Sequence, residues 1–143
     1  MKRNSWVLLA CLMMASNLLA AETASLTVRV TGLSSGQGQV FLSLFNTPDN
    51  FLKEPVLEKT LPAGESNSLT VHFPDLQPGT WAVSVFYDKD GNGKMKKGFL
   101  GIPKEPVGFS NDAKGSFGPP SFEDATFSLE ADLEIVVKVG KAD

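Results

Sequence analysis

The sequence is poor in the residues that most enzymes and metal sites depend on. Among 143 residues it has one cysteine, one histidine and one tyrosine. The cysteine, Cys11, lies in an apolar segment near the start of the chain, so the residues beyond it cannot form a disulfide, a thiolate zinc site or a cysteine nucleophile. The histidine, His72, has no second histidine with which to hold a zinc ion. These absences favour a protein that catalyses no reaction.

An excess of positive charge is also lacking. The formal net charge is −3, and residues 22–143 carry eleven lysines and arginines against sixteen acidic residues, a balance of −5. This balance argues against nucleic acid or an anionic membrane surface as the main partner. The stretch from Asp88 to Glu105 departs from it, with five lysines and three acids. Such a stretch is either a solvated surface or a patch that docks a partner.

Long apolar runs are restricted to the beginning of the sequence. Two basic residues precede an apolar run over 6–19, and Ala20 and Ala21 then supply small residues for cleavage. This pattern predicts a signal peptide over residues 1–21, which leaves residues 22–143 as one domain, periplasmic or secreted. The run is shorter than the roughly twenty residues of a membrane-spanning helix, so we expect no membrane span.

Cys11 offers a second interpretation of this leader. Residues 8–11, Leu-Leu-Ala-Cys, resemble the cleavage box of a bacterial lipoprotein, in which Cys11 would carry the lipid. That cleavage would leave residues 5–9 as the whole apolar region, which is shorter than the minimum of about seven residues in export signals. The pattern favours ordinary signal cleavage, with lipidation of Cys11 as the alternative.

The rest of the chain lacks helical periodicity and shows short segments in which apolar and polar residues alternate. The predicted strands are residues 25–30, 39–45, 68–73, 80–87, 125–129 and 133–139. Residues 47–62 are predicted as a connection. Short strands separated by Gly and Pro predict an all-β, antiparallel β-sandwich of the immunoglobulin or transthyretin-like type. One long loop rich in Gly, Pro and Phe, over 87–127, interrupts it.

One turn strengthens this fold prediction. Residues 73–85, Phe-Pro-Asp-Leu-Gln-Pro-Gly-Thr-Trp-Ala-Val-Ser-Val, resemble a hairpin of transthyretin-like and other carrier-type β-sandwich modules. Pro78 fixes φ for the turn, and Gly79 accepts a positive φ. Trp81 then shares a face with Val83 and Val85, so we expect Trp81 in the core.

Several segments together resemble one family of bacterial proteins. These segments are residues 26–33, 38–45, 78–83, 88–95, 99–105, 108–111 and 117–125. Two of them, Asp-Lys-Asp-Gly-Asn-Gly-Lys-Met and Phe-Gly-Pro-Pro-Ser-Phe-Glu-Asp-Ala, are long enough to be specific. On these segments the chain resembles the bacterial domain-of-unknown-function family 2141 over most of residues 25–139. The resemblance implies an exported β-sandwich and no activity, since the family has none assigned.

A possible metal site follows the fourth predicted strand. Oxygen-bearing side chains stand at alternate positions before Gly93, namely Asp88, Asp90 and Asn92, as in the first half of a calcium-binding loop. The next ligand in such a loop would be the Lys94 backbone carbonyl. The later ligand positions fall on Lys96 and Phe99, which cannot bind calcium, and members of the resembling family usually have an acid where this chain has Lys96.

Two interpretations of this loop therefore stand. Calcium, the one candidate cofactor, would bind weakly if a distant acid completes the site, and Asp112, Glu123 and Asp124 are the acids considered. Alternatively the segment is a tight turn, in which Asp and Asn side chains bond to their own backbone.

The phenylalanines of the long loop also allow two interpretations. Phe99, Phe109, Phe117 and Phe122 alternate with prolines. They would form either an exposed platform for a sugar or peptide, or a cap that packs on the open end of the sandwich.

The sequence predicts an exported, non-catalytic binding or structural module of the bacterial envelope, with an envelope protein, a peptide or a glycan as partner. The alternative is a small periplasmic hydrolase that uses His72 with a loop serine or acid. Ser110 is the serine considered, but Gly-Phe-Ser-Asn at 108–111 is not a nucleophile elbow. Contact between His72 and Ser110 or an aspartate would favour this alternative.

Overall fold

In the described part of the chain the alternating segments form strands, as predicted, except that Ala125 of the predicted strand 125–129 lies in a short helix. These strands build two sheets. The computed structural model describes residues 22–34, 36–93 and 105–141; the predicted signal peptide, Cys11, Lys94 and Phe99 lie outside them. The strands are β1 (Ala24–Thr31), β2 (Gln39–Phe45), β3 (Leu57–Pro62), β4 (Ser68–Leu76), β5 (Gly79–Asp88), β6 (Val107–Phe109), β7 (Phe127–Leu129) and β8 (Leu133–Lys138). A 3₁₀ turn over Ser110–Asp112 and the short helix α1 (Phe122–Ala125) lie between β6 and β7. The prediction of an all-β fold is confirmed.

In the part of the chain that the structure describes, the first sheet has three strands in the order β4-β1-β8. β1 pairs antiparallel with β4, with Val28 opposite Val71. β1 also pairs parallel with β8, where Val28 lies opposite Ile135. The sandwich was predicted to be antiparallel, and this pair is the exception. An alternating strand presents the same apolar face in either direction, so the pattern does not determine which way β8 runs.

The second sheet has five strands among the described residues, in the order β3-β2-β5-β6 with β7 also paired to β5. β3 lies within the segment 47–62, which was predicted as a connection without strands. Its residues are almost all exposed, so it lacks the apolar alternation that marks a strand with one buried face. β6 is three residues long, too short for alternation to be recognised.

The main core lies between the two sheets. The side chains completely buried there include Leu26, Val28 and Val30 of the first sheet and Leu42 and Val83 of the second. Each such side chain contributes about 1.5–3 kcal/mol through burial.

Trp81 joins this core with 4% of its surface exposed, so its predicted place is confirmed. Its indole nitrogen donates a hydrogen bond to the Gln77 carbonyl at 2.9 Å, which satisfies the one polar atom of this side chain.

A second apolar cluster, here called the outer cluster, covers the opposite face of the five-stranded sheet. It contains Phe45, Phe51, Ala82, Phe122 and Ala125, with Phe109 and Ala113 packed against it. The Phe51 ring meets the rings of Phe45 and Phe122 edge to face, with centroids 5.3 and 5.7 Å apart. These contacts hold the segment that contains α1 against the sheet.

The two sheets are joined along one side and open along the other. Val107 of β6 and Gly140, after β8, exchange two backbone hydrogen bonds of 3.0 Å. On the other side, β3 and β4 each pair with one strand only among the described residues. The Lys59 ammonium crosses between them, donates to the His72 carbonyl at 2.5 Å and lies 4.7 Å from the centre of the Phe73 ring. No helix in the described part of the chain has the length and apolar character needed to cross a membrane.

Candidate metal centre and adjoining groove

Asp88 closes β5 on the face turned away from the main core. Its neighbour Tyr87 faces the core, so the Asp88 side chain lies on the outer side, where it is nonetheless fully buried. Its carboxylate accepts hydrogen bonds from the Gly93 backbone at 2.6 Å, the Asn92 backbone at 3.3 Å and the Gln39 side-chain amide at 3.2 Å. Gly91 and Gly93 take positive φ angles of 70° and 75°, which suit glycine. The bonds expected of a tight turn are therefore present.

Three carboxylates converge at this turn. One oxygen each of Asp88, Asp90 and Glu105 lies within 4.8 Å of the others, and Glu105 is 6% exposed. Carboxylates at such separations repel one another unless a proton or a cation is shared between them. Carboxylate oxygens are the ligands that a hard divalent cation such as calcium takes, and three of them supply part of its shell. The arrangement can hold a metal ion while keeping the turn.

Glu105 is the acid that the sequence did not identify. The acids considered were Asp112, Glu123 and Asp124, and none of them belongs to the group. β5 pairs with β6 so that Phe86 lies opposite Val107, and the Tyr87 backbone bonds to the Pro106 carbonyl at 2.9 Å. Continuing this register by one step places Glu105 opposite Asp88. Recognition of β6 in the sequence would have identified it.

The other acids and Asn92 have different roles. Asp124 is held at the start of α1, where its backbone nitrogen bonds to the Ser121 hydroxyl at 3.2 Å. Asp112 lies in the 3₁₀ turn. Asn92 directs its side-chain amide nitrogen toward Asp90, at 3.4 Å from the carboxylate, so it supports the turn.

A groove of about 1040 Å³ adjoins this site on the outer face of the five-stranded sheet. Its floor includes the half-buried rings of Phe41 and Phe86, which stack with centroids 5.5 Å apart and an angle of 21° between planes. The segment 112–120 contributes a wall, and Gly93 reaches the groove from the acidic turn. A cavity of this size with an aromatic floor has the dimensions of a small-molecule site.

Phe117 lies at this groove with 92% of its surface exposed. Its backbone has a φ of 61°, a left-handed conformation that costs a residue with a side chain about 1–2 kcal/mol. A large apolar side chain gains nothing from burial there and is also strained. Such residues concentrate at sites of recognition.

The predicted phenylalanines thus separate into two groups. Phe122 is buried in the outer cluster and Phe109 is half-buried against it, so both pack on the protein, but on the outer face of the five-stranded sheet and not on the open end of the sandwich. Phe117 is exposed, as a platform residue would be. Two residues that the sequence did not single out, Phe41 and Phe86, supply the aromatic floor.

The structure does not bring His72 and Ser110 together. His72 is exposed on β4, where its Nδ1 atom lies 3.2 Å from the Thr27 hydroxyl. Ser110 packs against the other sheet with 1% exposure. Its hydroxyl accepts from the Val83 backbone nitrogen at 2.9 Å and donates to the Ala125 carbonyl. This hydroxyl fastens the outer cluster to β5.

The fold and the site define a small all-β protein of two packed sheets, with an acidic turn and an aromatic groove on one outer face. A family model described as "Uncharacterized protein conserved in bacteria (DUF2141)" matches residues 28–136. The chain belongs to this family, and the resemblance noted from its segments is confirmed. No curated protein and no solved structure matches the chain.

Proposed function

We propose that this protein is an exported, non-catalytic binding module of the bacterial envelope that takes its ligand in the groove. The observation that carries the proposal is Phe117, which is strained and 92% exposed beside the stacked Phe41 and Phe86 rings. A ligand seated between these side chains would bury apolar surface that the free protein leaves in water. It would thereby recover part of the free energy that Phe117 costs the fold.

We further propose that calcium binds at Asp88, Asp90 and Glu105 and fixes one end of the groove. Gly93 connects the two sites, because its backbone bonds to Asp88 and its residue lines the groove. The lysines of this stretch oppose a divalent charge, so we expect weak affinity, with a Kd on the order of 10⁻⁴ to 10⁻³ M as in extracellular modules.

A neutral fluorescent probe tests the groove without assuming the natural ligand. N-phenyl-1-naphthylamine should bind the mature protein, and its fluorescence should rise on entering an apolar site. Phe86→Ala should weaken this binding roughly tenfold, since truncation of an aromatic contact in the centre of a site costs more than about 1 kcal/mol. Phe117→Ala should also weaken binding of the probe.

The matched control is Val136→Ala, which truncates another exposed apolar side chain. Val136 is 55% exposed on β8, on the outer face of the three-stranded sheet. It should leave the affinity for the probe unchanged. If the probe fails to bind, or if all three variants bind it as well as the wild type, the groove is not a binding site.

A further inference from the structure

The charge that borders the groove is opposite to the charge of the whole chain. Among the residues that the structure describes, four lysines and two acids contribute to its lining: Lys53, Lys114, Lys138, Lys141, Glu58 and Asp112. The chain as a whole carries a formal charge of −3. Lysines of the described residues therefore concentrate around a cavity that has an aromatic floor.

These charges act across the groove even where they do not point into it. A lysine ammonium sits on a flexible four-carbon stem and can move toward a bound anion. The Debye length is about 8 Å at physiological ionic strength, so a rim charge within that distance of a bound ligand acts on it. Lys138 and Lys141 stand at one end, on either side of the Val107–Gly140 pairing that joins the sheets.

One of the two acids is already engaged on the floor. The Glu58 carboxylate accepts a hydrogen bond from the Ser43 hydroxyl at 3.0 Å, on the strand pair β2–β3. Its negative charge therefore lies toward the β3 side of the groove, away from β8. An apolar ligand body on the Phe41 and Phe86 rings would have its charged end best placed toward β8.

We propose that the groove binds an anionic amphiphile, a ligand with an apolar ring system or chain and one acidic group such as a carboxylate or sulfonate. The inference rests on the proposed function, because it names the class of ligand for the same groove. The apolar body contacts Phe41, Phe86 and Phe117, and the acidic group lies toward Lys138 and Lys141. A cationic amphiphile of the same shape is disfavoured by the same lysines.

Two fluorescent probes that differ in one anionic group test this inference. 1-Anilinonaphthalene-8-sulfonate has the ring system of N-phenyl-1-naphthylamine plus a sulfonate. The double variant Lys138→Gln/Lys141→Gln should weaken binding of the sulfonate, by roughly fivefold for each charge that contacts it at low salt. The neutral probe should bind this variant as it binds the wild type. Added salt should weaken binding of the sulfonate alone.

Two further variants serve as controls. The first keeps the positive charges at positions 138 and 141 but changes the side chains, and the second removes positive charges elsewhere on the protein. Lys138→Arg/Lys141→Arg keeps both charges and should keep the affinity for the sulfonate. Arg29→Gln/Lys89→Gln removes two exposed charges outside the groove and should leave both probes unaffected. Circular dichroism of each variant checks that the sheets are intact.

The outcomes distinguish the two proposals. If the neutral probe binds through Phe86 while the glutamine variant binds the sulfonate as well as the wild type does, the anionic class is wrong and the groove remains a binding site. An equal loss of sulfonate binding in the Arg29→Gln/Lys89→Gln variant also overturns the anionic class. If neither probe depends on Phe86 or Phe117, the proposed function itself fails.

Discussion

At the scale of single residues, two aromatic side chains of this protein have opposite positions. Trp81 is 4% exposed, and its one polar atom is satisfied by the Gln77 carbonyl. Phe117 is 92% exposed in a left-handed backbone conformation. The alternation of Trp81 with Val83 and Val85 was enough to predict its burial. Nothing in the sequence around Phe117 distinguishes it from Phe122, because exposure in a loop depends on contacts that have no sequence period.

We predict that Trp81→Ala destabilises the protein by about 3–5 kcal/mol, since it leaves a large cavity in the main core. Denaturant unfolding followed by circular dichroism measures the loss. Val136→Ala, at an exposed apolar position, should change stability by less than about 0.5 kcal/mol. A loss below about 1 kcal/mol for Trp81→Ala would show that the indole is not packed as described.

For Phe117 we expect truncation to cause no loss of stability. Phe117→Gly should leave the free energy of unfolding unchanged or raise it by up to about 1 kcal/mol, because glycine adopts this φ without strain and no buried contact is lost. The same variant should bind N-phenyl-1-naphthylamine more weakly than the wild type. A protein that is more stable and binds less would indicate that strain at Phe117 is maintained for binding. A clear loss of stability would mean that the ring packs on the protein.

At the scale of elements, the acidic turn depends on two strands that meet only after the long loop. β5 supplies Asp88, and the short β6 returns the chain so that Glu105 lies opposite it. The sequence identified the half of the site that is contiguous, Asp88 and Asp90. The other half depends on the register of a three-residue strand, and residue spacing carries no information about that register.

We predict that calcium stabilises the wild type and that Glu105→Gln abolishes this effect. At a calcium concentration of ten times Kd, the stabilisation of the wild type should be about 1.4 kcal/mol. Calorimetric titration measures the Kd for calcium, and thermal unfolding with and without calcium measures the stabilisation. Glu123→Gln, which removes the same charge from an exposed acid in α1, is the matched control. If wild type and Glu105→Gln respond alike, the carboxylates hold no metal and the turn is purely structural.

A single residue, Lys59, protects the exposed strand edges on the open side of the sandwich. Lys59 faces inward from the edge strand β3 and bonds to the backbone of the edge strand β4. A charge placed in this way, together with Pro62 and Pro74 on the same two strands, discourages pairing of these edges with another molecule.

We predict that Lys59→Val makes the protein associate with itself through the exposed edges. Size-exclusion chromatography with light scattering should show dimers or larger species that increase with concentration. Thr60→Val adds the same side chain one position away without removing the charge. It should show the same molecular mass as the wild type in this measurement. Identical behaviour of both variants would mean that Lys59 does not protect the edges.

At the scale of the whole molecule, alternation in the sequence identified the strands with one clearly buried face and the all-β class. It did not identify β3, whose inward position Lys59 is charged, or the parallel direction of β8. The aromatic groove was also not predicted, because it forms where Phe41 of β2 and Phe86 of β5 meet across a pairing that neither segment shows alone.

Export is a prediction for the whole chain. The basic start, the apolar run over 6–19 and the small residues after it lead us to expect a mature protein that begins near Ala21 or Glu22. Sequencing of the N-terminus of protein isolated from the periplasm checks this. Recovery of the intact leader, or of a chain that begins with lipidated Cys11, would contradict it.

The parallel pairing of β1 with β8 has a consequence for how the chain acquires its structure. Leu26 lies opposite Leu133, so β1 receives one of its two neighbours only after β2 to β7 have been synthesised. Contacts between such distant residues slow folding, and all-β domains of this kind typically fold in milliseconds to seconds. The three-stranded sheet is complete only once β8 has paired with β1. An emerging chain that cannot close its sheet early remains unfolded for longer, which is the state in which a polypeptide can be threaded through a narrow pore.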